Sequence, residues 1–121
     1  MLVEVSADGV FDDKIIGELK LIGGTARLYN RVLTLFVENA PRSLADIERL
    51  AGEQDMTGLV DAVHALKSMC SSLGARRAGD ACVNLEKLAR AGREFDAPLM
   101  IEVIRRETAV ALKEADRLRA A

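Results

Sequence analysis

Aromatic residues, cysteines and prolines are all scarce in this chain of 121 residues. It has three Phe, one Tyr and no Trp, with only two Cys and two Pro. Half of the residues are nevertheless apolar, so the core must be built from aliphatic side chains, a composition that favours helices packed on helices. Two isolated cysteines make no disulfide framework, and Cys70 and Cys82 are expected to be small core residues in a reducing compartment.

The chain also lacks a run of basic residues and a long apolar segment. Its formal net charge is −2 and its sequence pI is about 5.5, with acids and bases interspersed. This pattern argues against a nucleic-acid-binding surface. No segment approaches the length of a membrane span, and the first residues lack the basic and apolar pattern of a signal peptide. We therefore expect a cytoplasmic protein that binds a protein partner or a small ligand.

Apolar residues recur at helical spacing along most of the chain. Residues 1–10 show no clear period and are interpreted as an N-terminal leader, followed by one helical domain over residues 11–121. A short helix is predicted from about residue 12 to about residue 21, before Gly23-Gly24. Four longer helices follow, although Pro41 leaves open whether the first of them bends or splits in two. The short connections predict an all-α fold, an antiparallel up-down four-helix bundle with a short additional N-terminal helix.

The only histidine of the chain, His64, lies on a predicted helix that Asp55 or Thr57 can cap. At about 100° per residue, one apolar stripe of this helix collects Leu59, Val63, Leu66, Cys70 and Leu73. His64 lies roughly 140° from Leu59 on the same helical wheel. The histidine is therefore expected to face away from the core.

The neighbours of His64 on this face are small or cationic. Lys67 follows at i+3, Ser68 at i+4 and Ser71 two turns on. Such a strip of small side chains lets the backbone of another protein approach closely. Geometry alone favours the simpler interpretation, an exposed histidine on a polar helix face, because exposure permits a function without proving it.

The segment HALKSMCSSLGA, residues 64–75, resembles the signature of histidine-containing phosphotransfer (HPt) domains, His-x-Leu-Lys-Gly-Ser-small-x-x-Leu-Gly. The residues that match it are His64, Leu66, Lys67, Leu73 and Gly74. The resemblance covers roughly residues 11–105, including LFVENAPRSLADIERL before the signature and LEKLARAG after it. Two positions depart from the pattern, because Ser68 stands where the family usually has Gly and Met69 where it usually has Ser or another small residue.

The resemblance implies a phosphoryl relay between aspartates of receiver domains through a phosphohistidine. His64 would be the phosphoacceptor, because a neutral imidazole presents a lone pair without a strong base. Lys67 would offset charge on the phosphoryl oxygens. Glu86, at the edge of the apolar stripe of the next helix, would bond the other ring nitrogen and orient the ring. Lys67 and Glu86 each also admit a simpler interpretation, as solvated side chains.

The resemblance further implies protein partners and no resident cofactor. The expected partners are the receiver domain of a hybrid histidine kinase and that of a downstream response regulator. Val60, Ser68, Ser71 and Arg90 are the expected docking residues. Mg²⁺ is expected from the receiver, since no carboxylate cluster surrounds His64, and the absence of Cys-x-x-Cys and His-x-x-x-His pairs argues against a metal site.

No glycine-rich phosphate loop or Walker-type motif occurs in the chain, so no ATP site is predicted. The resemblance therefore implies a monomeric phosphocarrier of a bacterial two-component phosphorelay rather than an enzyme. The alternative is a helical adaptor or dimerisation module that keeps the bundle and binds receivers or kinases without phosphotransfer.

Overall fold

The computed structural model describes residues 10–22 and 27–120, and this part of the chain consists of helices and their connections. The helices are α1 (Asp13–Ile22), α2 (Arg27–Gly52), α3 (Met56–Leu73), α4 (Arg76–Arg90) and α5 (Ala97–Ala120). The predicted all-α fold, with four long helices after a short one, is confirmed. The predicted leader lies outside the described residues except for Val10, and Gly23-Gly24 lies outside them as well.

The four long helices form a bundle in which each contacts two others. α2 packs against α3 and α5, and α4 packs against the same two helices. Residues 53–55, 74–75 and 91–96 connect them in sequence, and connections this short make successive helices antiparallel. The short α1 lies against α2 and α3. No helix in the described ranges is long and apolar enough to span a membrane.

α2 continues through Pro41 as a single helix, so the proline does not begin a second one. A proline inside a helix removes a backbone hydrogen bond and costs about 3 kcal/mol. Leu33 and Phe36 before Pro41, and Ile47 after it, are buried in the core. Burying a side chain of this size contributes roughly 1.5–3 kcal/mol, so packing on both sides of the proline offsets its cost.

The bundle core is aliphatic, as the composition predicts. The side chains with no exposed surface include Leu33, Ile47, Val63, Leu66, Leu73, Leu85 and Ile104. Cys70 and Cys82 are free and completely buried, which confirms that they are core residues. Burial raises the pKa of each thiol to about 12, so both remain neutral and unreactive at cellular pH.

α3, the helix that carries His64, has a defined cap at each end. The Asp55 carboxylate accepts a hydrogen bond from the Gly58 N–H at 2.9 Å, so Asp55 rather than Thr57 is the N-cap. At the other end Gly74 adopts a φ of +79°, in the left-handed region that favours glycine. A Cβ at this position would also come within 3.1 Å of the Asp12 backbone nitrogen. Glycine is therefore required here for conformation and for space.

The segment before α1 is tied to the connection between α3 and α4. The Asp12 N–H donates to the Gly74 carbonyl at 2.6 Å, and the Arg76 guanidinium donates to the Asp12 carboxylate at 2.7 Å. Val10 and Phe11, just before this junction, are buried in the core. These contacts fix the position where the chain enters the bundle.

Asp12→Asn should destabilise the fold in a pH-dependent way. The hydrogen bond from Arg76 holds the pKa of Asp12 below its ordinary value. The stabilisation is therefore present above the unfolded pKa of about 3.9 and is lost as the pH falls through the lower folded value. We expect the variant to have a lower thermal midpoint than the native chain at neutral pH, with the difference shrinking as the solution is acidified.

Thermal unfolding over a series of pH values measures this difference. Asp61→Asn removes an exposed acid from α3 and serves as the matched control. A loss that is the same at neutral and acidic pH would contradict a contribution from the ionised carboxylate.

Candidate functional site

His64 projects from the face of α3 that is turned away from the core. Its side chain is 50% exposed. The predicted stripe is buried beneath it, comprising Leu59, Val63, Leu66, Cys70 and Leu73. Val60, predicted as a docking residue, is also buried because it borders the stripe, and at 9% exposure it presents little surface to a partner. His64 therefore stands on an open surface above a closely packed helix.

One nitrogen of the imidazole is held by a carboxylate from α4. His64 Nδ1 lies 2.8 Å from Glu86 Oε2, the contact predicted from the sequence. An ionised carboxylate only accepts hydrogen bonds, so Nδ1 carries the proton and donates it. In the neutral ring this leaves the lone pair on Nε2. The geometry thus selects one tautomer and leaves the other ring nitrogen without a contact to Glu86.

α4 brings Glu86 to this position by burying the neighbouring face. Ala78, Ala81, Cys82 and Leu85 are buried, as the predicted stripe requires, whereas Ala89 at its end is half-buried. Glu86 follows Leu85 at the edge of the interface, and its side chain is 13% exposed. The carboxylate is consequently shielded on one side and open to His64 on the other.

The charge of Glu86 is maintained by its surroundings. Burial raises the pKa of Glu86, but the hydrogen bond from His64 and the charge of His64 when protonated, followed by the charges of Arg90 and Lys67, outweigh burial, so the pKa lies below its ordinary value. Arg90 Nη2 lies 3.5 Å from Glu86 Oε2, the same oxygen that His64 contacts. Glu86 is therefore ionised at neutral pH.

Lys67 lies one turn from His64 and lines a shallow groove between α3 and α4 with a volume of about 230 Å³. Ser71 and Asp80 line the same groove. Within residues 10–22 and 27–120, no carboxylate forms an ion pair with the Lys67 ammonium. An ammonium in this position can turn towards anionic oxygens placed on His64.

Ser68 and Ser71 are exposed on the same face as His64, as the sequence predicts. The Ser68 hydroxyl donates to the His64 carbonyl at 3.1 Å, within its own helix. This side chain therefore occupies little space above the backbone. Across the described ranges, no group of His, Cys, Asp and Glu side chains could hold a metal ion.

Comparison with known proteins places this site in a family. The family model of the Hpt domain matches residues 31–121, which include the whole of α3 and α4. The chain belongs to the Hpt domain family. The resemblance of the segment around His64 to the HPt signature is confirmed.

Solved structures of Hpt proteins have the same fold. The crystal structure of histidine-containing phosphotransfer protein B (HptB) from Pseudomonas aeruginosa PAO1 matches with a TM-score of 0.84 and 26% sequence identity, covering 93% of this chain and 96% of that chain. The histidine-containing phosphotransfer protein ZmHP2 from maize matches with a TM-score of 0.76 and 24% identity, covering 89% of this chain and 81% of that chain. The bundle is therefore shared with Hpt proteins from a bacterium and a plant.

A curated relative shows similarity in sequence. Sensor protein TorS of Escherichia coli (strain K12) is 33% identical over 107 residues, which is 88% of this chain and 11% of TorS. The similarity thus concerns a small part of that sensor protein, and the remainder of TorS has no counterpart in the present chain.

The two departures from the Hpt signature leave His64 accessible. Met69 is half-buried and lines an apolar groove of about 320 Å³ on the α2 side of α3, together with Val32, Leu35 and Phe36. Its larger side chain is accommodated away from the imidazole. Ser68 adds only a hydroxymethyl group where the family usually has Gly.

The sequence did not predict the contact between Arg90 and Glu86. Arg90 was expected as a docking residue, and its guanidinium, which is 60% exposed, also lies beside the Glu86 carboxylate. The i, i+4 spacing of the two residues on one helix was the available signal. The Hpt domain therefore has three linked side chains at its site, His64, Glu86 and Arg90.

Ser68→Phe should slow phosphoryl transfer at least about tenfold, because its bulky ring would obstruct a partner that approaches the surface beside His64. A tenfold change corresponds to only about 1.4 kcal/mol in the activation barrier. Stability should change little, since Ser68 is exposed. Transfer rates and thermal midpoints measure the two effects.

Ala109→Phe provides the matched control, because Ala109 is exposed on α5, a helix that does not pack against α3. Equal transfer rates for the native chain and the Ser68→Phe variant would contradict a docking role for this surface.

Proposed function

We propose that this Hpt domain relays a phosphoryl group between aspartates of two receiver domains through His64. The observation that carries the proposal is a half-exposed imidazole whose Nδ1 is bonded to Glu86, which leaves the lone pair on Nε2. An exposed phosphoacceptor suits a relay, because each receiver must bring its own aspartate to the ring.

The first transfer begins with the Nε2 lone pair attacking the phosphorus of an aspartyl phosphate. The new N–P bond forms as the bond from phosphorus to the aspartate oxygen breaks, and the aspartate carboxylate leaves with the electron pair. The proton stays on Nδ1, so the ring becomes positively charged opposite the Glu86 carboxylate. The second transfer reverses these steps, with the aspartate of another receiver as the acceptor.

Lys67 and Glu86 assist this chemistry from opposite sides of the ring. Lys67 places a positive charge one turn from His64, where it offsets the charge on the phosphoryl oxygens during transfer. The effect strengthens when a docked receiver excludes water from the site. Glu86 keeps the ring oriented so that Nε2 points outwards, as a carboxylate does for other functional histidines.

The partners in this proposal are the receiver of a hybrid histidine kinase and the receiver of a downstream response regulator, acting in the cytoplasm. The chain acts as a monomeric phosphocarrier without an ATP site of its own. Mg²⁺ comes from the acidic site of the receiver. Ser68 and Ser71 form the centre of the docking surface in this proposal.

Phosphoryl transfer from a purified receiver tests the proposal. The protein is mixed with Mg²⁺ and phosphorylated receiver domains from hybrid kinases and response regulators of the same cell. We expect mass spectrometry to locate an acid-labile, base-stable phosphoryl group on His64, which is the only histidine. The His64→Gln variant should accept none while keeping its helicity and its affinity for the receiver.

A receiver that binds the protein tightly but never transfers a phosphoryl group to it would contradict the relay. That outcome would support the alternative of a helical adaptor. Lys87→Gln, an exposed change on α4, controls for altered charge and should accept the phosphoryl group normally.

A further inference from the structure

We propose that Arg90 is a positioning residue that acts through Glu86 to set how tightly the proton is held on His64 Nδ1. The effect of Arg90 on phosphoryl transfer rests on the proposed function, whereas the effect of Arg90 on the ring proton does not. The role differs from the docking contact expected for Arg90 from the sequence.

The geometry places one hydrogen-bond donor and one guanidinium beside a single carboxylate oxygen. His64 Nδ1 is 2.8 Å from Glu86 Oε2, and Arg90 Nη2 is 3.5 Å from the same atom. The Arg90 side chain is 60% exposed, so its charge is partly screened by solvent. Arg90 thus neutralises part of the negative charge that faces the imidazole.

The proton on Nδ1 matters because it determines the leaving group in onward transfer. With the proton present, breaking the N–P bond returns the electron pair to Nε2 and releases a neutral ring. Without it, the ring would leave as an imidazolate anion, which is a much poorer leaving group. The Glu86 carboxylate favours the protonated ring, since an opposite charge nearby stabilises the charged form.

Arg90 opposes this effect of Glu86. A neutral amide in place of Glu86 would accept the same hydrogen bond without a charge. By sharing Oε2, Arg90 makes the carboxylate behave partly like that neutral acceptor. The ring proton is then held less tightly than Glu86 alone would hold it. Glu86 still orients the ring, while Arg90 makes the proton easier to release.

The other groups near Glu86 do not duplicate Arg90. Lys67 on α3 also acts on the carboxylate, but it stays the same in every variant compared below. Cys82, one turn before Glu86, is a neutral thiol because burial raises its pKa to about 12. On the α5 side, the ion pair of Arg77 and Glu107, at 2.9 Å, joins α4 to α5 near the beginning of α4.

Because His64 is the only histidine, ¹⁵N NMR of the imidazole gives one pair of ring signals, which report the titration of the ring. In the unphosphorylated ring the titrating proton is the one on Nε2, and its midpoint reports the charge that faces the imidazole. We expect Glu86→Gln to lower the pH midpoint of the ring titration by about 1 unit, since it removes an opposite charge. Arg90→Gln should raise the midpoint by about 0.5 unit, since it removes a like charge that is partly exposed. The Lys87→Gln control should leave it where the native chain has it.

The same titrations are repeated on protein phosphorylated with phosphoramidate, a small donor that needs no receiver. With Nε2 phosphorylated, the titrating proton is the one on Nδ1, and the shifts should keep their opposite signs. In the Glu86→Gln background, Arg90→Gln should have less than about half of its effect, because the carboxylate through which it acts is gone. Far-UV circular dichroism checks that each variant is folded.

An Arg90→Gln midpoint that is unchanged, or that moves in the same direction as that of Glu86→Gln, would overturn the proposal. A shift that persists in full without the Glu86 charge would overturn it too. If no receiver phosphorylates the protein while the two midpoints move apart, the relay fails and the assignment of Arg90 stands.

Discussion

Burial of the apolar stripe of α3 fixes the rotation of this helix, and that rotation determines what His64 can contact. Leu66 and Leu73 have no exposed surface. Each contributes roughly 1.5–3 kcal/mol by leaving water, so turning the helix to bury His64 would cost several kcal/mol. The outward imidazole is therefore maintained by the core itself. The caps at Asp55 and Gly74 then set where the helix begins and ends.

The hydrogen bond between His64 and Glu86 adds chemistry more than stability. A pair with a half-exposed histidine contributes little to the free energy of unfolding. The bond instead distinguishes the two ring nitrogens, because Nδ1 is bonded to Glu86 and Nε2 keeps its lone pair. Arg90 completes the arrangement from the next turn of α4. The site thus combines an exposed imidazole, a carboxylate bonded to its Nδ1 and a guanidinium beside that carboxylate.

Helical periodicity in the sequence predicted much of this structure. The features that it did not predict depend on contacts between segments that are far apart in the chain. The stripe of α3, the outward direction of His64 and the contact with Glu86 follow from helical spacing together with the family resemblance. The burial of Val60 does not, because neighbouring helices cover more of α3 than a single helical wheel indicates. The ion pair of Asp12 with Arg76 joins segments 64 residues apart and left no local signal. The path of α2 through Pro41 likewise depends on packing against other helices.

The most direct measurement of the central claim is the position of the phosphoryl group on the imidazole. Protein labelled with ¹⁵N in its single histidine would be phosphorylated by a receiver, and the ¹⁵N and ³¹P NMR signals recorded together. The structure predicts an N–P bond at Nε2, with the proton retained on Nδ1 beside Glu86. Phosphorylation at Nδ1, or an unmodified His64 in phosphorylated protein, would contradict the account.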